Sequence, residues 1–263
     1  MVGWVNLGFH KRKAYVKCLQ KASGHGTIQS HIPMAKAATK TPELLDMLEA
    51  GVHFGHERSK RNPKMEEFIF VQRNRVAIID LERTQQALQR AVEFLQRLTS
   101  VAGREVLFIG TKRQAREIVR RHAEAVGMPH VTKRWLGGTL TNFKTIQKSI
   151  EKLDELKKKV ESKAFESSTK KEKAVTKKEI ERLEEVLEGI HDMRSLPAAI
   201  VVVGSHDERL AVREANRVGI PVVGITDTNA DPDVVDYGIP ANDDAVRSID
   251  LVVGALAEAV KQK

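Results

Sequence analysis

The sequence predicts an α/β fold: a parallel sheet flanked by helices, with an inserted antiparallel coiled-coil helical hairpin. Two observations predict it. Short, continuously apolar segments alternate with segments of helical periodicity, as in sheets covered on both faces. A long charged segment between the two α/β halves has apolar residues at every third or fourth position. One cysteine in 263 residues excludes a disulfide framework and fits a reducing compartment.

The first half of the chain alternates between strands and helices. Thr41–Leu45 has the pattern of a capped helix start, with proline at the first helical position. Phe68–Val71 and Val76–Asp80 are apolar runs of strand type. The other predicted elements of this half are a helix over Glu82–Leu98, a strand over Glu105–Ile109 that Gly110 closes, and a helix over Gln114–Val126.

The middle segment predicts two antiparallel helices. Apolar residues recur at spacings of three or four between Phe143 and Val160, and again between Ile180 and Ile190. Thr176 and Glu179 have the spacing of a capping box, which predicts that the second helix begins there. Charges of both signs fill the other positions. We therefore interpret the apolar stripe as the seam of a coiled coil and the charges as a solvated surface.

The last third returns to the alternating pattern, and the whole arrangement is flavodoxin- or Rossmann-like. Its elements are a strand over Ala199–Val203, a helix over Glu208–Val218, a strand over Val222–Ile225 and a helix over Asp243–Val260. The predicted α/β domain spans residues 34–141 and 192–263, with the hairpin at residues 142–191 and a basic extension at residues 1–33.

Residues 1–33 differ from the rest of the chain, since they contain five Lys and Arg and no acid. A targeting segment is a poor match, because there is a single arginine and no clear amphipathic face. We expect either a disordered RNA-binding arm or, as the favoured alternative, a start-site artefact with the natural start at Met34. N-terminal sequencing of the native protein distinguishes these two.

Charge predicts a nucleic-acid partner. The formal net charge is +9, and a basic balance of this size suggests a polyanion. Its distribution is uneven: Arg104–Arg134 contains eight Lys and Arg against three Glu, whereas Ala198–Asp250 contains four Arg against ten Asp and Glu. The longest apolar runs are far too short to span a bilayer, so we expect a cytoplasmic protein with no membrane partner.

Motifs for catalysis are missing from the sequence. Neither the Gly-x-Gly-x-x-Gly nor the Gly-x-x-x-x-Gly-Lys-Ser/Thr phosphate loop occurs, and no nucleophile elbow places a catalytic serine. Gly110–Arg113 follows a strand and opens a helix, so its amides and two cations could hold a phosphate of RNA or of a small ligand. We predict no enzyme activity, no cofactor and no small-molecule substrate. The alternative is an enzyme that binds a nucleotide or sugar phosphate at this turn.

A metal site is only weakly indicated. Asp227–Asp231 begins like a calcium loop, but Pro232 and Gly238 stand where that loop needs Gly and Glu. His53 and His56 lack a further Cys or His nearby, so we predict packing or an RNA contact for them. Polar residues after two strand ends are the remaining candidates, although turn capping is the favoured interpretation. These candidates are His206, Asp207, Asp227 and Asp231.

Basic loops are the better-organised feature. Arg58–Lys64 contains four cations, Arg73–Arg75 lies at a turn between strands, and Lys133–Asn142 combines cations, glycines and hydroxyls. Lys and Arg neutralise phosphates, while Asn and Thr hydrogen-bond phosphate or ribose. Trp135 is interpreted as a core anchor at the base of the hairpin. The candidate rRNA-binding residues are Arg58, Lys60, Arg61, Asn62, Lys64, Arg73, Arg75, Lys112, Arg113, Arg134, Thr141, Asn142 and Lys144.

Several motifs together resemble the bacterial small-subunit ribosomal protein S2 family. They occur in the family's order and extend from Thr41 to Val260, leaving residues 1–33 outside the resemblance. The motifs are Glu49–His56, Asn62–Met65, Phe68–Phe70, Val106–Arg113, Arg134–Asn142, Leu196–Pro197, Glu214–Asn216, Gly219–Pro221 and Asp227–Asn229.

The resemblance implies a fold with a protruding coiled-coil hairpin and a place on the solvent side of the small subunit, between head and body. It also implies binding to small-subunit rRNA, contacts with neighbouring ribosomal proteins and a part in holding ribosomal protein S1, which gathers mRNA. No catalytic centre is implied. We expect the acidic C-terminal third, including Asp227, Asp231 and Asp233, to face away from RNA or toward a protein.

Overall fold

A computed structural model describes residues 41–161 and 169–261, and the predictions for residues 1–33 lie outside this part of the chain. Helix α1 (Leu44–Glu49) precedes an antiparallel sheet with the order β1-β3-β2. Its strands are β1 (Phe54–Glu57), β2 (Ile69–Arg73) and β3 (Val76–Ile79).

The two strands predicted after residue 66 lie in this small sheet rather than in the parallel one. A two-residue turn joins β2 to β3, with φ of 50° at Asn74 and 67° at Arg75. Positive φ at both positions is typical of a type I′ hairpin turn. A connection this short can join only antiparallel strands, because a parallel neighbour needs a crossover.

The parallel sheet predicted from the alternating pattern is present, with five strands in the order β5-β4-β6-β7-β8. α-Helices lie between β4 and β5, between β5 and β6 and between β6 and β7, whereas the connection from β7 to β8 contains only the 3₁₀ helix Pro232–Val234. The strands are β4 (Val106–Ile109), β5 (His130–Val131), β6 (Ala199–Val203), β7 (Val222–Thr226) and β8 (Tyr237–Pro240). The helices are α2 (Leu81–Thr99), α3 (Arg116–Ala125), α4 (Phe143–Glu161), α5 (Lys170–Leu187), α6 (Arg209–Val218) and α7 (Val246–Val260).

Two apolar clusters cover the two faces of the parallel sheet. Val106 and Phe108 of β4 belong to one cluster with residues of α2, α3 and α7, whereas Leu107 and Ile109 belong to the other with residues of α4, α5 and α6. This alternation follows from the two-residue period of a strand. A sheet buried on both faces explains why its strands are almost continuously apolar in the sequence.

The two long helices α4 and α5 pack against each other and against the parallel sheet. Lys152 and Glu179 join them with a 2.6 Å ion pair, and Lys157 and Glu184 with one of 2.8 Å. Leu153 is buried in the same cluster as strand residues of β4 and β6, so their apolar stripe is partly core. The connection between them, residues 162–168, is outside the described chain, and the coiled-coil hairpin stays a prediction.

The predicted start of α5 was wrong. The capping box is formed by Thr169 and Glu172, seven residues before the predicted pair, and Thr176 lies within the helix. Both pairs have the same spacing, so spacing alone could not choose between them. Among the described helices, none has the length and apolar character to cross a membrane.

Candidate nucleic-acid interface

Thr228, two residues after the end of β7, attaches the small antiparallel sheet to the carboxyl edge of the parallel sheet. Its hydroxyl accepts a 2.8 Å hydrogen bond from the amide of His56, and its carbonyl accepts one of 2.8 Å from the amide of Asn62. The contact is close at Gly55, where a Cβ atom would lie 2.6 Å from Thr228 Cγ2. The basic loop that begins at Arg58 is therefore held beside this edge.

Four predicted cations lie at one end of the small sheet, and we call this surface the basic sheet end (Arg58, Lys60, Arg73 and Arg75). The amide of Arg58 donates a 2.9 Å hydrogen bond to the carbonyl of Arg75. Strand pairing places Arg73 opposite Val76, so Arg73 lies directly before the Asn74–Arg75 turn and Val76 directly after it. All four side chains are exposed, and none forms an ion pair with another described residue. Their charges are free to bind an external anion.

The second basic surface is the Trp135 loop (Lys133–Asn142), which follows β5. Trp135 is only 7% exposed, and its Nε1 donates a 3.1 Å hydrogen bond to Glu214, so it is a core anchor as predicted. Arg134 and Asn142 are exposed, as is Lys144 in the first turn of α4. The cations of the loop are therefore on its exposed side, while its aromatic ring faces the core.

Other predicted RNA contacts are already engaged within the protein. Lys64 binds Asp231 and Asp233 at 2.8 and 3.0 Å, and Arg61 lies 3.6 Å from Glu66. The side-chain oxygen of Asn62 caps the following turn by accepting from the amide of Lys64. The hydroxyl of Thr141 donates to Glu214. Arg113, by contrast, is exposed and has no ion pair in the described part of the chain.

Lys112 is enclosed by carboxylates. Its Nζ lies 2.6 Å from Asp243 Oδ1, 2.9 Å from Asp244 Oδ1 and 3.0 Å from Asp207 Oδ2, and its side chain is 15% exposed. Burial alone would lower the pKa of Lys112, but attraction and hydrogen bonding to the carboxylates outweigh it and raise that pKa. A phosphate would have to displace these partners, so Lys112 is a poor candidate for an RNA contact.

The model of the protein family Ribosomal protein S2 matches residues 47–263 of the chain. The chain belongs to the ribosomal protein S2 family. It is therefore a structural protein of the small ribosomal subunit and a component of the translation machinery, in a family that is not known as enzymatic. The match includes both sheets, both basic surfaces and the acidic C-terminal third.

In this S2 protein, the turn that resembles a phosphate loop is occupied by the protein itself. The loops after β4 and β6 diverge at the point where open α/β sheets bind ligands. There the amide of Thr111 donates a 2.7 Å hydrogen bond to Glu208 Oε1. Burial raises the pKa of Glu208, although hydrogen bonds from Thr111 oppose that rise. The amide of Thr111 and the ammonium group of Lys112 thus both bind carboxylates of the protein itself, and this disfavours a small phosphate ligand.

One side-chain cluster in the S2 protein has the donors of a metal site. His56, Asp227 and Asp243 each offer a ligand atom, and these atoms lie within 4.8 Å of one another. An imidazole and two carboxylates suit Zn²⁺ chemistry. Asp243 Oδ2 is buried without a hydrogen-bond partner among the described residues. Its pKa is raised to about 6 by burial and by the neighbouring Asp227, while Lys112 opposes the rise.

The metal candidates predicted from the sequence do not converge in this cluster. Of the four, only Asp227 belongs to it, since Asp207 binds Lys112, Asp231 binds Lys64 and His206 is exposed. The pairing of His56 with Asp227, at 3.0 Å, was missed because the two residues are far apart in the chain. The hydrogen bond to Asp227 raises the pKa of His56 despite partial burial.

Proposed function

We propose that this S2 family protein binds small-subunit rRNA through the basic sheet end and the Trp135 loop. The observation that carries the proposal is the division among the ten predicted cations. In the described structure, seven are exposed without an ion pair, whereas the other three are bound to carboxylates. Unpaired, exposed cations on a structural protein of the small subunit are available to an external counter-charge, which rRNA phosphates would supply.

The binding mode is electrostatic and shape-based. Arg73 and Arg75 lie on the hairpin that joins β2 to β3, and Arg58 and Lys60 lie in the 3₁₀ turn that follows β1. Because β1 and β2 both pair with β3, strand pairing fixes the backbone on which this surface is built. Such a rigid surface can match the spacing of phosphates, which position a protein on RNA but do not read its sequence. Arg113, Arg134 and Lys144 extend the same chemistry to the parallel sheet's carboxyl edge, with Asn142 as a neutral hydrogen-bonding group.

The experiment is a filter-binding titration of the purified protein with small-subunit rRNA between about 50 and 200 mM salt. We expect the association constant to fall steeply, with a log–log slope set by the number of phosphates neutralised. Simultaneous alanine replacement at Arg58, Lys60, Arg73 and Arg75 should reduce that slope by about four. An unchanged slope in this variant would rule out the basic sheet end as the contact surface.

The family resemblance also implies protein partners. We propose a cytoplasmic, ribosome-bound protein that contacts neighbouring small-subunit proteins and helps to hold ribosomal protein S1. The acidic C-terminal third is the candidate surface for S1, because exposed carboxylates repel RNA. Asp227 is fully buried and drops out of that surface, whereas Asp231 and Asp233 lie near the exterior beside Lys64.

Charge reversal tests the S1 contact. In small subunits that contain Asp231→Lys and Asp233→Lys, we expect weaker retention of S1 during sedimentation. The matched control is Glu258→Lys on α7, which reverses an exposed acid on another element. Retention equal to that of the unmodified subunit would exclude Asp231 and Asp233 as part of the S1 contact.

A further inference from the structure

Glu214 is a buried carboxylate that receives hydrogen bonds from a whole loop. It lies on α6 and is 7% exposed. Its Oε1 accepts from Trp135 Nε1 at 3.1 Å and from the amide of Gly138 at 2.8 Å. Its Oε2 accepts from the amides of Leu140 and Thr141 at 3.1 and 3.2 Å, and from the Thr141 hydroxyl at 3.1 Å. Every one of these donors belongs to the Trp135 loop.

Hydrogen bonds, rather than a cation, stabilise this charge. No Lys, Arg or His in the described chain forms an ion pair with Glu214. Burial raises its pKa, but the hydrogen bonds from Gly138, Trp135, Thr141 and Leu140 outweigh burial and hold the pKa below its usual value. The carboxylate is therefore ionised at neutral pH. Charge-assisted hydrogen bonds are about twice as strong as neutral ones, so this set strongly favours one loop conformation.

The arrangement separates an inner and an outer side of the loop. A glycine-rich turn with aligned amides can itself bind an anion, but here the amides of Gly138 and Leu140 are used by Glu214. An external phosphate is left with the outward side chains of Arg134, Asn142 and Lys144, which are exposed. The internal carboxylate thus decides which groups of the loop are available to RNA.

We infer that Glu214 is a positioning residue for RNA binding: its carboxylate fixes the Trp135 loop, which holds Arg134 and Asn142, and the adjoining Lys144 at the start of α4, in position to bind rRNA. The inference rests on the proposed function and names a residue on which one of its two surfaces depends. Glu214 itself does not touch RNA. Its effect on affinity comes from preorganisation, because an unfixed loop must lose conformational freedom on binding.

A double-mutant cycle separates positioning from a purely structural role. Glu214→Gln keeps the size of the side chain but turns an NH₂ group toward N–H donors. Arg134→Ala is then measured in both backgrounds by rRNA titration, and we expect a loss of about tenfold in the unmodified protein and almost none beside Glu214→Gln. Arg75→Ala, on the basic sheet end, is the matched control. It should lower rRNA affinity by the same factor in the unmodified protein and in Glu214→Gln.

Each outcome has a distinct meaning. Equal losses for Arg134→Ala in both backgrounds would overturn the positioning role, even if Glu214→Gln lowers the melting temperature. No rRNA binding by the unmodified protein would overturn the proposed function and this inference together. If Glu214→Gln does not fold, Gly138→Ala replaces it, because a side chain at a φ of +93° strains the loop at one of the amides that donate to Glu214. The same coupling with Arg134 is then expected.

Discussion

At the scale of single residues, internal pairing decides which cations can serve an external partner. Arg75 and Lys112 have the same formal charge and were predicted for the same role. Arg75 is exposed on a hairpin turn, whereas Lys112 is held by three carboxylates. Opening a partly buried ion pair costs more than desolvating a free surface cation. Accessible, unpaired charge is therefore the better guide to the RNA surface.

Replacing Arg75 with alanine tests this distinction. We expect weaker binding to small-subunit rRNA, with the salt slope reduced by about one, because one phosphate contact is lost. The matched control is Arg120→Ala, whose guanidinium already pairs with Glu124 at 2.8 Å. Equal effects of the two changes would contradict a specific role for the basic sheet end.

Adjacent glycines in the Trp135 loop provide a second residue-scale prediction. Gly138 has a φ of +93°, and a Cβ there would lie 3.4 Å from that of Asn142, whereas Gly137 has no neighbour within 4 Å of such an atom. Gly138→Ala should lower the free energy of unfolding by about 1–2 kcal/mol, because L-residues are strained in this region. Gly137→Ala should change it little. Urea denaturation of both variants checks this, and a reversed order would contradict the loop conformation.

Residue chemistry could be predicted from the sequence only where partners are close in the chain. The basic runs Arg58–Lys64 and Arg73–Arg75 were visible as charge patterns. The partners of Glu214 and His56 were not, because they are brought together by tertiary folding. Glu214 was visible in the sequence only as an acid in a predicted amphipathic helix and as part of the motif Glu214–Asn216, and neither signal identifies a partner.

At the scale of elements, α4 illustrates how one apolar stripe serves two kinds of packing. Leu153 is 1% exposed and belongs to a core cluster with sheet residues, whereas Leu156 is half-buried. The apolar stripe is thus part of the core as far as Leu153, and it is more exposed to solvent at Leu156. Periodicity predicts the stripe but not what covers it.

Truncating the two leucines of α4 measures this difference. Leu153→Ala should destabilise the protein by about 2–5 kcal/mol, since it leaves a cavity in a closed core. Leu156→Ala should cost clearly less. The measurement is equilibrium unfolding, and equal losses would instead support a uniform seam between the two helices.

His191 predicts a pH dependence of the contact between α4 and the segment after α5. Its ring lies 2.9 Å from Asp154 and 3.0 Å from Asp192, and these hydrogen bonds raise the pKa of His191. The folded state therefore favours the protonated ring. The resulting stability is present below the unfolded pKa near 6.5 and is lost as pH rises through the raised value.

The matched variant is His191→Gln. Melting temperatures of the unmodified protein and the variant should converge as pH rises from about 6 through the raised pKa of His191. A difference between them that grows with pH would contradict this linkage.

Elements with a clear apolar run or helical period could be predicted from the sequence, and elements without one could not. The strand Ala199–Val203 was predicted with its observed bounds, and α2 and α6 to within a residue. β5 has two residues, too few for any period, and β8 contains Gly238 and Pro240, which are unusual in strands. Short strands are set by neighbouring strands rather than by their own composition.

At the scale of the whole molecule, topology explains why an α/β sheet need not make an enzyme. The loops after β4 and β6 diverge where such sheets often bind nucleotides. In this chain Glu208 accepts the hydrogen bond of the Thr111 amide at that point, and Asp243 forms an ion pair with Lys112. The sequence shows the missing phosphate loop but not this internal occupation.

Calorimetric titration tests whether the carboxyl edge of the parallel sheet binds a small phosphate ligand. We expect no saturable binding of ATP, NAD or a sugar phosphate to the purified protein. Saturable binding that is lost on replacing Lys112 with alanine would revive the nucleotide-binding alternative and contradict the role assigned to the internal carboxylates.

The most direct test of the central claim is sucrose-gradient sedimentation of cell lysate at low and high salt, with detection of this chain. The account predicts co-migration of the unmodified protein with small subunits at moderate salt, with release at high salt. A variant with alanine at Arg58, Lys60, Arg73 and Arg75 should be released at lower salt. If the unmodified protein stays in the soluble fractions at every salt concentration, the proposed rRNA-binding function is contradicted.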